Sequence, residues 1–194
     1  MSTTVIIVIV VVVVAIVLLA LYFASRRRAA QRSDEQRERS REEFGSEYER
    51  TVEERGSEED AERELRERRG RVERQIEPLS EESSGRFEER WTEVERVFVE
   101  NPERSIEMAD RTVSDLLSER RFVSDAGQSD EETEQSLAVM YPDVADDYRA
   151  ARRTRAEVVG RSAGSADADS EESTEELRQA IRNYRAVYER LLQQ

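Results

Sequence analysis

The chain of 194 residues contains no cysteine, no histidine and no lysine; all 31 of its basic residues are arginine. Each absence removes a chemistry. Without cysteine there are no disulfides and no thiolates, and redox usage is silent about compartment. Without histidine or cysteine there is no Ser-His or Cys-His nucleophile pair and no ordinary zinc site. Without lysine, a Walker-type phosphate loop and a Schiff base are both excluded. No segment reads as a strand either. Carboxylates, serines and tyrosines remain, so a carboxylate-dependent hydrolase or metal-binding domain stands as the alternative. The primary expectation is a non-enzymatic protein with no catalytic, cofactor-binding or metal-ligating residues.

What is present begins with an apolar run. Val5 to Ala24 carries no charge, and sixteen of its twenty residues are Val, Ile, Leu or Phe. Twenty residues of helix rise roughly 30 Å, the thickness of a bilayer core. At the membrane centre those sixteen side chains favour insertion by about 5 to 10 kcal/mol. The run is rich in Val and Ile and would suit a strand in water. In lipid a single segment satisfies its own backbone only as a helix. A cleaved secretory signal would start with basic residues, and Met1-Ser2-Thr3-Thr4 has none. Arg26, Arg27, Arg28 and Arg32 follow the run and no arginine precedes it. The positive-inside rule then predicts a single-pass protein of the cell (plasma) membrane, with its N-terminus outside and its C-terminal part cytoplasmic. The lipid bilayer is thus the first expected partner, through residues 5–24.

Charge bounds the second partner. The net charge is −14, and from Leu79 onward 28 Asp/Glu face 16 Arg. Nucleic acid is disfavoured because its phosphates would be repelled. A protein partner fits better.

The expected organisation is all-α in three parts: an anchor over 1–25, a charged helical stalk over 26–78 and a helical bundle over 79–194. The stalk holds 15 Arg and 17 Asp/Glu. Pairs such as Glu62/Arg66, Glu64/Arg68 and Glu67/Arg71 each support a helix by about 0.2 to 0.5 kcal/mol. Its apolar marks are few: Phe44, Tyr48, Val52, Leu65, Val72 and Ile76. Leu65, Val72 and Leu79 fall seven apart, which allows a thin coiled-coil seam. A solvated single helix is the main expectation for this stretch, with self-association into a homo-oligomer or docking onto the distal domain as alternatives. Gly45, Gly56 and Gly70 predict breaks.

Beyond Pro78 apolar residues recur at helical spacing. Ser80 opens a helix carrying Phe87, Trp91, Val94 and Phe98 and ending near Asn101. Pro102 opens a second, with Ile106, Ala109, Val113, Leu116 and Leu117 inward. Phe122 to Ser129 reads as a turn. A third segment with Leu137 and Met140 stops before Pro142, and a fourth runs to about Val159 through Val144, Tyr148 and Ala151. Residues 160–173, rich in Ser, Ala, Gly and Asp, read as a mobile loop. Ser173 with Glu176 reads as a capping box for a last helix through Leu177, Ile181, Tyr184, Val187, Tyr188 and Leu191.

Several stretches resemble an uncharacterised group of bacterial membrane-anchored or "secreted" proteins. They are Glu47-Tyr48-Glu49-Arg50-Thr51-Val52, Ala61-Glu62-Arg63-Glu64-Leu65-Arg66, Pro78-Leu79-Ser80, Arg90-Trp91, Val97-Phe98-Val99, Asp143-Val144 with Tyr148-Arg149-Ala150, and Ser173 to Ala180 with Tyr184-Arg185. The resemblance implies a helical domain behind an N-terminal span and brings no activity. Members often have a Gly-Tyr-Pro-like turn where this chain has Arg121-Phe122-Val123.

Four features of the sequence are candidate sites. Asp167-Ala168-Asp169-Ser170-Glu171 is close to a calcium loop, but Glu172 and Arg178 stand where that loop needs glycine and its last ligand. Trp91, Phe87 and Phe98 at helical spacing read as core before they read as a pocket. Arg120-Arg121 and Arg149, Arg152, Arg153 and Arg155 could hold an anion or an acidic partner helix, with a solvated face as the default. Ala20 and Ala24 form one small-xxx-small pair in the span, a weak dimer signal.

Overall fold

A computed structural model of the protein describes residues 35, 37–122, 130–162 and 171–193. The apolar run over 5–24, with Ala20 and Ala24, lies outside the described residues. Among those described, no helix is long and apolar enough to cross a membrane. The chain divides into two compact units, Met1–Glu43 and Phe44–Gln194. In the first, residues 37–43 are helical.

The second unit is all helical among its described residues. Its elements are α1 (Ser46–Arg55), α2 (Glu58–Gln75), α3 (Glu81–Glu100), α4 (Pro102–Glu119), α5 (Asp130–Met140), α6 (Pro142–Ser162) and α7 (Glu171–Leu192). The boundary predicted at 78/79 is therefore displaced. Phe44, Tyr48, Leu65 and Val72 belong to the same buried core as Trp91, Leu116 and Tyr184. Five buried apolar residues, Phe44, Tyr48, Ala61, Leu65 and Val72, are too few for a core of their own, yet they suffice to dock a helical hairpin on a larger one. Of the three readings of this stretch, docking onto the distal domain is the arrangement found for 44–75. The seam of Leu65, Val72 and Leu79 does not continue, because α2 ends at Gln75 and Ile76 is its C-cap.

Local chemistry sets the corners. Gly45 precedes α1 at φ 55°, and a Cβ there would lie 3.2 Å from Cβ of Pro142. Glycine thus allows both the left-handed backbone and the close approach to the start of α6. Gly56 at φ 68° ends α1. Gly70, also expected to break the helix, stays inside α2. Ser57 and Ser80 accept backbone N–H bonds from Asp60 and Ser83 as N-caps. Asn101 closes α3, its Oδ1 accepts from the N–H of Arg104 at 3.0 Å, and Pro102 follows at the first helical position. One residue therefore makes the α3–α4 corner. Arg121 ends α4 at φ 57°, with its N–H bonded to Ser118 and that of Phe122 to Leu117. This is a Schellman ending, whose left-handed position glycine usually fills. α7 begins at Glu171, two residues before the serine expected to cap it. Residues 160–162, assigned to a loop from their composition, extend α6, while 163–170 lie outside the described residues.

Four long helices form the main bundle. α4 lies between α3 and α7, and α6 packs along α7. Arg86–Glu119 and Arg90–Asp115 pairs make α3 and α4 antiparallel, as Arg190–Asp143 does for α6 and α7. The α1–α2 hairpin and α5 add a further layer: α2 rests on α5, and α1 touches both α5 and α6.

Candidate functional site

Arg149, Arg152, Arg153 and Arg155 of α6 do not together form a solvated face, and they are not held open for an outside anion. Three of these four face carboxylates of this chain. Arg149 donates to Glu47 at 2.5 Å and to Asp146 at 2.9 Å. Arg152 donates to Asp130 at 2.5 Å and lies 3.6 Å from Glu134. Arg155 lies 3.1 Å from Asp110. Arg153 alone points outward and is exposed. At about 100° per residue the three span about 120° of the helix centred on Arg152, and Arg153 lies about 100° from that centre, beyond the edge next to Arg149.

These pairs join into one ladder of alternating charge. Glu64 and Glu47 flank Arg68 at 2.7 and 3.1 Å. Glu47 passes to Arg149, and Arg149 Nε lies 3.9 Å from Glu134. Glu134 passes to Arg152, which lies 3.8 Å from Asp110; Asp110 then meets Arg155. The Tyr184 hydroxyl donates to Asp110 at 2.9 Å. The ladder runs through α2, α1, α6, α5, α4 and α7. It is buried at Glu47, 1% exposed, Arg149, 6%, and Asp110, 8%, while Glu134 and Arg152 between them are partly exposed. Buried Arg149 Nε has no hydrogen bond, so the step to Glu134 is the loosest.

The electrostatics follow the contacts. Hydrogen bonding from Arg152 holds Asp130 below the usual carboxylate range, and Arg55 with Arg68 does the same for Glu64 against its burial. Burial raises Tyr148 to about 12 and raises Tyr184 as well, the latter with the Asp110 charge adding to the effect. Among the described residues, Asp147 is the carboxylate with a clearly raised value, through burial first and then the charges of Asp146 and Asp143.

Arg120 also turns inward on the fold, whereas Arg121 stays exposed. Arg120 is 2% exposed and donates to the carbonyl of Leu191 at 2.8 Å, capping the last turn of α7. It also reaches the carbonyl of Glu77, while Arg121 pairs with the Glu77 carboxylate at 3.1 Å. Trp91 is core: its ring stacks on Tyr188 at 4.5 Å and its indole N–H reaches Glu95. Phe87 is buried beneath Arg86 and Arg90, and Phe98 packs partly buried on the core. Asp167 and Asp169 lie outside the described residues, and Glu171 starts a helix.

The open grooves are polar. One of about 520 Å³ is lined by Arg55, Asp60, Arg63, Glu64, Glu67 and Arg71, with Asp60 tied to Arg63 and Glu64 to Arg55. Among the described residues, no group of three or more His, Cys, Asp or Glu could hold a metal ion.

Glu47, Asp110 and Glu134 were not singled out from the sequence, although two of them carried a signal. Glu47 shares a helix face with Phe44, Tyr48 and Thr51, and Asp110 interrupts the stripe of Ile106, Ala109, Val113 and Leu117. A carboxylate inside an apolar stripe demands a buried cation. The chain matches no family model, no curated protein and no solved structure.

Proposed function

We propose that this chain is a membrane-anchored, non-enzymatic helical module that presents an acidic bundle to a protein partner in the cytoplasm. The anchor is the uncharged run Val5–Ala24 with Arg26, Arg27 and Arg28 directly behind it. The observation that carries the interaction role is how the charges are divided. Arg120, Arg149, Arg152 and Arg155 turn to partners inside the fold, whereas Glu81, Glu82, Glu88 and Glu89 stand exposed on the outer side of α3. Among the described residues the buried charges nearly cancel, Glu47, Glu62 and Asp110 against Arg120 and Arg149, so the acid surplus stays at the surface. Such a surface steers a basic partner and fixes its orientation rather than supplying a large apolar contact. Val99 is the one exposed large apolar side chain among the described residues, which fits that mode.

Topology tests the reading first. The chain has no cysteine, so one cysteine appended after Gln194 is a clean reporter. Protection from an impermeant maleimide in intact cells, with labelling after lysis, is the expected result. Labelling of intact cells would put the bundle outside and reject the cytoplasmic role. Binding of a partner cross-linked through the α3 face should then weaken as salt rises; affinity indifferent to salt would reject the acidic surface as the contact.

A further inference from the structure

We infer that the α1–α2 hairpin is a stowed stalk: a helical arm with a docked state, the one described above, and a released state in which it leaves α5 and α6 but stays helical.

The arm supports its own helices. Arg66–Glu62 at 3.0 Å, Arg68–Glu64 at 2.7 Å and Arg69–Glu73 at 3.0 Å lie within α2, and Arg55 reaches Glu64 across the hairpin. Ser57 caps α2 at its start. None of these interactions involves the bundle, so none is lost on release. Its attachment is narrow by comparison. Phe44, Tyr48, Leu65 and Val72 supply the large apolar contacts, and the hairpin packs against α5 and the start of α6. Beside them sits Glu47, buried between Arg68 and Arg149, with Ser46 donating to Asp146 at 2.9 Å. A buried ion pair fixes register well but adds little net stability, because the desolvation of both charges cancels most of their attraction. The combination favours one docked geometry held by a modest free energy. Its removal does not dismantle α3, α4, α6 and α7, whose mutual contacts exclude the arm.

The pivot is also present. Residues 76–80 are non-helical and include Pro78, and Glu77 is fastened to the end of α4 by Arg120 and Arg121. Release therefore swings the arm about a fixed point. In the membrane-anchored reading, on which this role rests, release swings the start of α1 away from the bundle; with α1 folded back along α2, that end stands about 12 Å from the pivot, the difference between 18 and 10 residues of helix. The sparse apolar pattern that reads as a solvated stalk is then the pattern of a helix that must be stable both docked and free.

Hydrogen exchange on the full chain in detergent, read by mass spectrometry, tests this. Wild-type α2 amides should exchange about tenfold or more faster than those of α4, the mark of a sub-global opening. Glu47→Gln should widen that gap by a further tenfold or so while α4 moves by less than about threefold. The far-UV ellipticity should stay at the wild-type level. A common exchange rate for α2 and α4 in the wild type would overturn the inference, and this arm stands even if the variant fails to fold. An unchanged gap in Glu47→Gln, or ellipticity falling by the content of α1 and α2, would also overturn it. Neither partner nor topology enters the measurement, so its failure is separable from failure of the interaction reading.

Discussion

Helices α2 and α4 are both 18 residues long, yet they are held by different physics. In α2 only Ala61, Glu62, Leu65 and Val72 are buried; in α4 Ser105, Ile106, Ala109, Asp110, Thr112, Val113, Leu116 and Leu117 are. α2 is helical because of its own caps and ion pairs, and docks on a thin apolar edge. α4 is helical because three neighbours enclose it, with the buried Ser105 hydroxyl donating to the carbonyl of Val94 to tie it to α3. Equal length and regularity therefore conceal unequal dependence on tertiary contacts.

The contrast can be broken from either side. Arg149→Met leaves Glu47 buried without its 2.5 Å partner and should cost the docked hairpin about 3–5 kcal/mol. Proteolysis should then cut within 44–80 while the rest of the bundle persists. Leu116→Ala opens a cavity beside α3 and α7 and should lower global stability by about 2–5 kcal/mol in chemical denaturation, hairpin and bundle together. Arg121→Gly relieves a left-handed arginine at the end of α4 and should stabilise the bundle by about 1 kcal/mol, read as a higher melting temperature. The smallest effect is expected at Asp147. Its raised value means that folding disfavours the ionised carboxyl, a penalty present at neutral pH and absent once the group is protonated in both states. Asp147→Asn should gain about 0.5 kcal/mol at pH 7 and nothing below about pH 3. A gain that persists in acid would assign the effect to packing instead.

Much of the bundle was legible because its signals are local. The Phe87–Trp91–Val94 spacing, the Asn101-Pro102 corner and the stop before Pro142 each rest on rules that act within a few residues, and each element lies where those rules put it. At the Arg121-Phe122 ending an arginine takes the left-handed conformation that glycine usually fills. Legibility failed where a residue's partner is distant in sequence. Glu47 and Arg149 are 102 residues apart, and Tyr184 and Asp110 are 74 apart. Neither spacing carries periodicity, so arginines that locally read as a solvated face are in fact the rungs of an internal ladder.

Composition and period alone determined that the chain is helical, acidic, without the side chains of common nucleophilic and zinc chemistry, and headed by an apolar run of bilayer length. Those properties follow from residue identity and from spacing within a turn or two. The tertiary structure decided where the compact unit begins, that the charged stretch 44–75 folds back onto the bundle, and which arginines are sealed inside. These depend on desolvation, and a charged residue is driven inside only where the fold brings it an opposite charge.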